Sequence, residues 1–245
     1  MPRIARLKLT NLTYHAISRG NNKMQIFIDD ADYEKYLEIL NRYQEKFAFW
    51  IYNFNLMPNH VHQLLKAESD ISRIMHGINL SYAQYYKAKY NHSGHFWQDR
   101  FKSYIVADDL YFLTVARYIE RNPLKAKLIK ELKSYKYSSY NFYAYGENCG
   151  VNLTPNPLFL ELFGTTPEDR KRYREFINSA SAQTGETDTS DPAGNIPLIP
   201  NIVKEQFIGS PEVARELIAT KFPQRIKPKR GRPKKNQQIL IPNLL

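Results

Sequence analysis

His60 and His62, in Asn59-His60-Val61-His62-Gln63-Leu64-Leu65, are the residues best placed to do chemistry. Alternate residues of a strand share a face. Two imidazoles side by side on a strand can hold one divalent cation. A second group lies in Arg117-Tyr118-Ile119-Glu120-Arg121-Asn122-Pro123. On a helix Tyr118 and Asn122 stand four apart and share a face. They offer a phenol nucleophile and an oxygen ligand. Together the two segments point to metal-assisted cleavage of a phosphodiester, with the tyrosine taking the phosphate.

Each residue also has a plainer reading. His60 and His62 could be half-buried histidines with hydrogen-bond partners. The chain has 18 tyrosines, so Tyr118 could be packing, and Asn122 could cap its helix. A free phenol, with its pKa near ~10, is a weak nucleophile at neutral pH and needs an electrophilic aid. The stripe Tyr111, Val115, Tyr118 and Asn122 ends in a polar residue, which a pure core stripe would not favour.

The positioning elements can be read from periodicity. Thr13–Ser18 reads as a strand, closed by Arg19-Gly20-Asn21-Asn22. Asp29 or Asp30 caps a helix to about residue 46, with Tyr33, Tyr36, Leu37, Leu40 and Tyr43 at helical spacing. Phe47–Leu56 and His60–Lys66 read as a hairpin across Met57-Pro58-Asn59. Asp70 or Ser72 opens a second helix that Asn91-His92-Ser93-Gly94 breaks. Phe101–Ala107 reads as a fourth strand, and Asp108 or Asp109 caps a helix that Pro123 is expected to terminate. The order β-α-β-β-α-β is that of an α+β, ferredoxin-like split β-α-β fold, an antiparallel sheet with helices on one face. A nucleophile helix and a helical, basic C-terminal extension follow. The first and the His60/His62 strands should be central.

The expected domains are residues 1–145, a helical extension over 146–180, a linker over 181–200, a small helical element over 201–223 and a basic tail over 224–245. Residues 156–179 read as helical. One cysteine, Cys149, excludes an internal disulfide framework and a Cys-rich zinc site. No stretch is apolar enough to span a membrane, and no apolar signal core follows the basic start, so a cytoplasmic, DNA-associated protein is expected. Eight of the eleven net positive charges fall in residues 221–245, which hold no acid. The tail is therefore the polyanion-seeking part.

His-Val-His with a helix-borne tyrosine, and an amide four residues on, resembles the HUH single-tyrosine transposases, and among them the REP-associated tyrosine transposases. Ser18-Arg19-Gly20-Asn21, Met57-Pro58-Asn59-His60-Val61-His62, Phe96-Trp97-Gln98-Asp99-Arg100-Phe101, the Tyr118 segment and Tyr135–Tyr140 carry the resemblance, over roughly residues 8–145. It implies cutting of single-stranded DNA near a hairpin through a 5′-phosphotyrosine formed by Tyr118. It also implies that His60, His62 and Asn122 hold Mg²⁺ or Mn²⁺. Relatives often carry glutamine where Asn122 stands, so ligation directly or through water stays open. The metal needs neutral imidazoles, so activity is expected to fall below about pH 6. Arg19, Arg100 and Lys102 are candidate DNA contacts, and Trp97 and Phe96 read equally as stacking platforms or as core packing. His15, His76, His92 and His95 read as structural or surface residues without a role. Some relatives exchange the nucleophile helix between subunits, so monomer and homodimer are both open. A DNA-binding regulator retaining an idle site, and a zinc hydrolase using His60 and His62, are the rival readings.

Lys227-Pro228-Lys229-Arg230-Gly231-Arg232-Pro233-Lys234-Lys235 resembles an AT-hook. Gly231 permits close backbone approach to a narrow A·T minor groove, and Arg230, Arg232 and Pro233 complete the centre of the motif. The plainer reading is nonspecific phosphate binding. Deleting residues 224–245 should weaken binding to A·T-rich duplex and flatten its salt dependence, measured by fluorescence anisotropy across a salt series. An unchanged salt slope would remove the tail from duplex contact.

Overall fold

Strand β2, Phe49–Met57, is buried at nearly every position rather than at alternate ones, because both faces of its sheet are covered. The computed structural model describes residues 10–179 and 207–208 of the chain. The elements run β1 (Leu12–Arg19), α1 (Asp30–Lys46), β2, β3 (His60–Ala67), α2 (Ile71–Tyr90), β4 (Lys102–Val106) and α3 (Asp109–Lys125). Three shorter helices follow: α4 (Tyr140–Tyr145), α5 (Pro157–Phe163) and α6 (Pro167–Asn178). β1 to β4 pair antiparallel in the order β2-β3-β1-β4, with β1 and β3 central as expected.

Helix starts follow local capping chemistry. Asp29 accepts from the Asp32 backbone N–H and Asp32 returns the bond, a capping box opening α1. Asp70 caps α2 and Asp108 caps α3. Asn91, in the left-handed region at φ 48°, closes α2. One core lies between the sheet and α1/α2, built on Tyr14, Phe54, Leu56, Val61, Tyr36, Ile78 and Tyr82. A smaller core lies on the opposite face, where Ile17, Tyr52, Leu64 and Tyr104 meet Phe112, Val115, Ala116 and Ile119 of α3. The split β-α-β unit thus keeps α1 and α2 on one face, and the helix carrying Tyr118 takes the other.

Several boundaries differ from the sequence reading. Phe47 is the C-cap of α1, its N–H bonded to Tyr43 O at 2.9 Å, so β2 starts two residues later than expected. Residues 156–179, read as helical, form two helices: Gly164, at φ 65°, ends α5, and Thr166 caps α6. Phe207 and Ile208, in the 201–223 element but ahead of the helix start expected at Ser210, run parallel to β4 as β5. The linker, the remainder of the 201–223 element and the tail residues Arg230, Gly231, Arg232 and Pro233 lie outside the described residues.

Pro123 does not terminate its helix; α3 runs on to Lys125. Proline lacks the N–H that Ile119 O would accept one turn back. Asn55 of β2 supplies a replacement, its Nδ2 donating to Ile119 O at 3.0 Å. The backbone break is thus converted into a helix-to-sheet tie.

The free edge of β2 is covered by later chain. Leu56 N donates to Tyr137 O at 3.0 Å and Ser139 N to Phe54 O at 3.0 Å. The Tyr135 and Tyr143 hydroxyls donate to Leu56 O and Tyr52 O, each at 2.6 Å, and Thr154 N donates to Ile51 O at 3.0 Å. The third core joins α4, α5 and α6 through Tyr140, Tyr143, Phe159, Phe163 and Tyr173. From it, α6 reaches α3. Arg121 Nη1 donates to Ile177 O and Ser179 O at 3.1 and 3.0 Å, which satisfies acceptors at the α6 C-terminus.

Glu120 on α3 is fully buried and joins these layers. Asn53 Nδ2 donates to its Oε1 at 2.8 Å, and the Ser139 and Tyr173 hydroxyls donate to the same oxygen. Burial outweighs these bonds and pushes its carboxyl up to about 7.

Asn55→Ala should cost about 1–3 kcal/mol by stranding the Ile119 carbonyl. Pro123→Ala should recover part of that loss in the Asn55→Ala background, because residue 123 regains its N–H. Urea unfolding of both single variants and the double variant measures the coupling, and strict additivity would refute the tie. Glu120 gives a second expectation. In the unfolded chain its carboxyl ionises first, so its contribution is fully present below pH ~4.3 and is lost as pH rises through about 7. Glu120→Gln should therefore gain on the parent in urea midpoint from about pH 5 to 7 and then hold its lead. A difference that does not vary with pH would contradict the raised carboxyl.

Candidate functional site

The register of β1 against β3 builds the site. Arg19 lies opposite His60, Ile17 opposite His62 and His15 opposite Leu64. Opposed residues of an antiparallel pair share a face, so His15, Arg19, His60 and His62 all occupy the α3 side of the sheet. The turn before His60 is held by Gly20 N donating to Asn59 O at 2.9 Å and Ile26 N to Pro58 O at 2.7 Å. Gly20 is needed there because a Cβ would meet Met24 O at 2.6 Å.

His62 is completely buried and His60 is half-buried at the end of its strand. Their ring centroids are 4.9 Å apart and nearly perpendicular. Tyr118 comes to this pair from α3, its ring edge-on to His62 at 5.6 Å and to His15 at 6.1 Å. The α3 stripe Phe112, Val115, Ala116 and Ile119 packs on the sheet and holds the tyrosine there. Lys125 Nζ lies 5.6 Å from the Tyr118 ring centroid. Side chains far apart in sequence thus converge within one chain.

Asn122 is 9% exposed, and its Nδ2 donates back to Tyr118 O at 3.4 Å, leaving Oδ1 as its ligand-type atom. Arg19 is half-buried beside His60. Arg100 and Lys102 are exposed, and Lys102 lies opposite Ile17 on the site face. Trp97 is half-buried: its indole N–H donates to Asn79 O at 2.8 Å, and its ring packs on Phe96 and Tyr82. Phe96 is a core residue, 3% exposed.

Burial, reinforced by the Arg19 charge, lowers His60 to about 4. Burial lowers His62 well below the ordinary range, with His60, His15 and Arg19 adding to the effect. Both rings therefore stay neutral well below pH 6. The expected fall-off near pH 6 rested on the ordinary imidazole range and moves to lower pH.

The nitrogen atoms suit a cation. His60 Nδ1 lies 2.6 Å from Asn59 Oδ1 and His62 Nδ1 lies 2.9 Å from His15 Nε2. His62 Nε2 is buried with no hydrogen-bond partner. Ligating histidines engage the protein through one nitrogen and offer the other. Among the described residues no three His, Cys, Asp or Glu side chains gather to hold a metal. Two imidazoles with an amide oxygen would need substrate oxygens or water to complete a shell.

Sequence reasoning left His15 and Glu120 without roles. His15 had a readable signal, since strand alternation puts it on the face of Arg19. Glu120 had none, because its donors come from β2, the start of α4 and α6.

Residues 8–122 match the family model of IS200-like transposases. Among solved structures, the fold resembles a REP-associated tyrosine transposase bound to a REP hairpin. That likeness has TM-score 0.51 and 17% identity, and covers 64% of this chain and 96% of that one. A Deinococcus radiodurans protein provisionally assigned as a transposase aligns with TM-score 0.34 and 21% identity, over 49% of this chain and 97% of that one. No curated protein matches. Among the described residues no helix is long and apolar enough to cross a membrane. Residues 8–122 are thus similar to the IS200-like transposases, and the fold is like that of a REP-associated tyrosine transposase.

Proposed function

We propose that this chain is a metal-dependent, single-tyrosine DNA strand transferase acting on single-stranded DNA beside hairpins. The observation that carries the reading is the Tyr118 ring edge-on to buried His62 at 5.6 Å, within one polypeptide. The Tyr118 oxygen attacks the scissile phosphorus, and the bond from phosphorus to the 3′ oxygen breaks. The phenol gives up a proton and the departing 3′ oxygen gains one. The product is a 5′-phosphotyrosine and a free 3′ hydroxyl, so strands can rejoin by reversal without ATP.

His60 and His62 would hold Mg²⁺ or Mn²⁺ through Nε2, with Asn122 Oδ1 as the third protein donor. The bound ion supplies Lewis-acid withdrawal of charge from the phosphate. A donor set with two nitrogens and no carboxylate favours Mn²⁺ over Mg²⁺. Arg19, beside His60, is positioned to neutralise the same phosphate. Exposed Arg100, and Lys102 on the site face, would contact the DNA backbone. The relative sharing this fold was solved on a REP hairpin, which supports hairpin DNA as the substrate class. The basic tail would add contact with A·T-rich duplex.

The test uses labelled hairpin-flanked single-stranded DNA with Mn²⁺ or Mg²⁺, read on denaturing gels. The parent should give a protein–DNA adduct and a free 3′ hydroxyl fragment. Tyr118→Phe should lose the adduct and keep DNA binding. Binding without cutting would favour the regulator, and cutting without an adduct would favour a hydrolase.

A further inference from the structure

His15 is completely buried on β1, and its ring stacks on His62 with centroids 5.2 Å apart and planes at 23°. Its Nε2 lies 2.9 Å from His62 Nδ1. A hydrogen bond between two neutral imidazoles needs one donor and one acceptor. If His62 Nδ1–H donates, its Nε2 keeps a lone pair. If His15 Nε2–H donates, His62 must carry its proton on Nε2, which is buried without an acceptor. Each arrangement leaves one buried N–H unanswered, because His15 Nδ1 also lacks a partner. Within the protein the two are balanced. An electron-pair acceptor at His62 Nε2 breaks the tie.

His60 supplies an internal comparison. Its Nδ1 faces Asn59 Oδ1 at 2.6 Å, and Asn59 Nδ2 donates to Lys23 O at 3.4 Å. That second bond fixes the amide with its oxygen toward the ring, so His60 Nδ1 donates and Nε2 carries the lone pair. Asn59 thus does for His60 what a proton-accepting His15 would do for His62.

We propose that His15 is a positioning residue for the cation site: it accepts the Nδ1 proton of His62 and thereby orients that ring with its Nε2 lone pair toward the metal. The proposal rests on the metal reading given above. Such outer partners change metal affinity by about 10- to 100-fold when removed. Glutamine places an amide group near the position of His15 Nε2, so its oxygen can accept the same proton. Leucine cannot.

The test is Mn²⁺ binding to the full chain, with free Mn²⁺ counted by electron paramagnetic resonance and folding checked by thermal melts. The variants are His15→Leu, His15→Gln and His60→Ala. The expected result is affinity about 10- to 100-fold weaker for His15→Leu, with most of it restored by His15→Gln. Equal affinity in folded His15→Leu, or a folded His15→Gln as weak as leucine, would overturn the role. Should the leucine variant not fold, the parent decides the matter through ¹⁵N-edited histidine spectra with saturating Mg²⁺. A proton on His62 Nδ1 supports the proposal and one on Nε2 defeats it. Failure of the parent to bind Mn²⁺, or binding untouched by His60→Ala, would instead bring down the metal site itself and this inference with it.

Discussion

The pairing register between β1 and β3 is the constraint on which the rest of the molecule depends. Side chains of a strand alternate between faces, so a slip of one residue would send a whole set to the opposite layer. In the observed register the α3 face receives His15, Arg19, His60 and His62, and the α1/α2 face receives Tyr14, Ala16, Val61 and Leu65. The large core beneath α1 and α2 therefore fixes the register, and the polar cluster above inherits its geometry. The energy that orders the site is apolar and lies on the far side of the sheet.

The helix on the near side is held differently. Its apolar stripe is short, and much of its attachment is polar: Asn55 to the Ile119 carbonyl, Asn53 and Ser139 to Glu120, and Arg121 to the end of α6. Buried polar bonds are directional and costly to leave unmade. They fix where the helix sits along its axis, which apolar packing alone does poorly. Under the proposed function this matters for Tyr118, because an attacking phenol must meet its target within a fraction of an ångström.

Much of this was legible in the sequence because it is local. Capping residues marked where α1, α2 and α3 begin, and the His-Val-His spacing placed two imidazoles on one face. Element order pointed to the split β-α-β unit, and the ordered motifs pointed to the family whose model matches residues 8–122. Illegible features depended on distant partners. Pro123 read as a terminator because nothing near it announces Asn55, 68 residues earlier, as a substitute donor. Gly164, at φ 65°, sets the boundary between α5 and α6, which a helical reading of 156–179 did not locate. Trp97 offered a stacking surface by type, yet its N–H bond to Asn79 and its ring contacts tie it to α2.

The cover along β2 bears on how copies of this chain can meet. An uncovered outer strand invites another molecule to dock by strand addition, and repetition of that contact builds fibres. Here Tyr135, Tyr137, Ser139, Tyr143 and Thr154 already occupy backbone groups on that margin. Self-association by sheet extension is blocked on that side, so crowding of many copies need not seed aggregation through it.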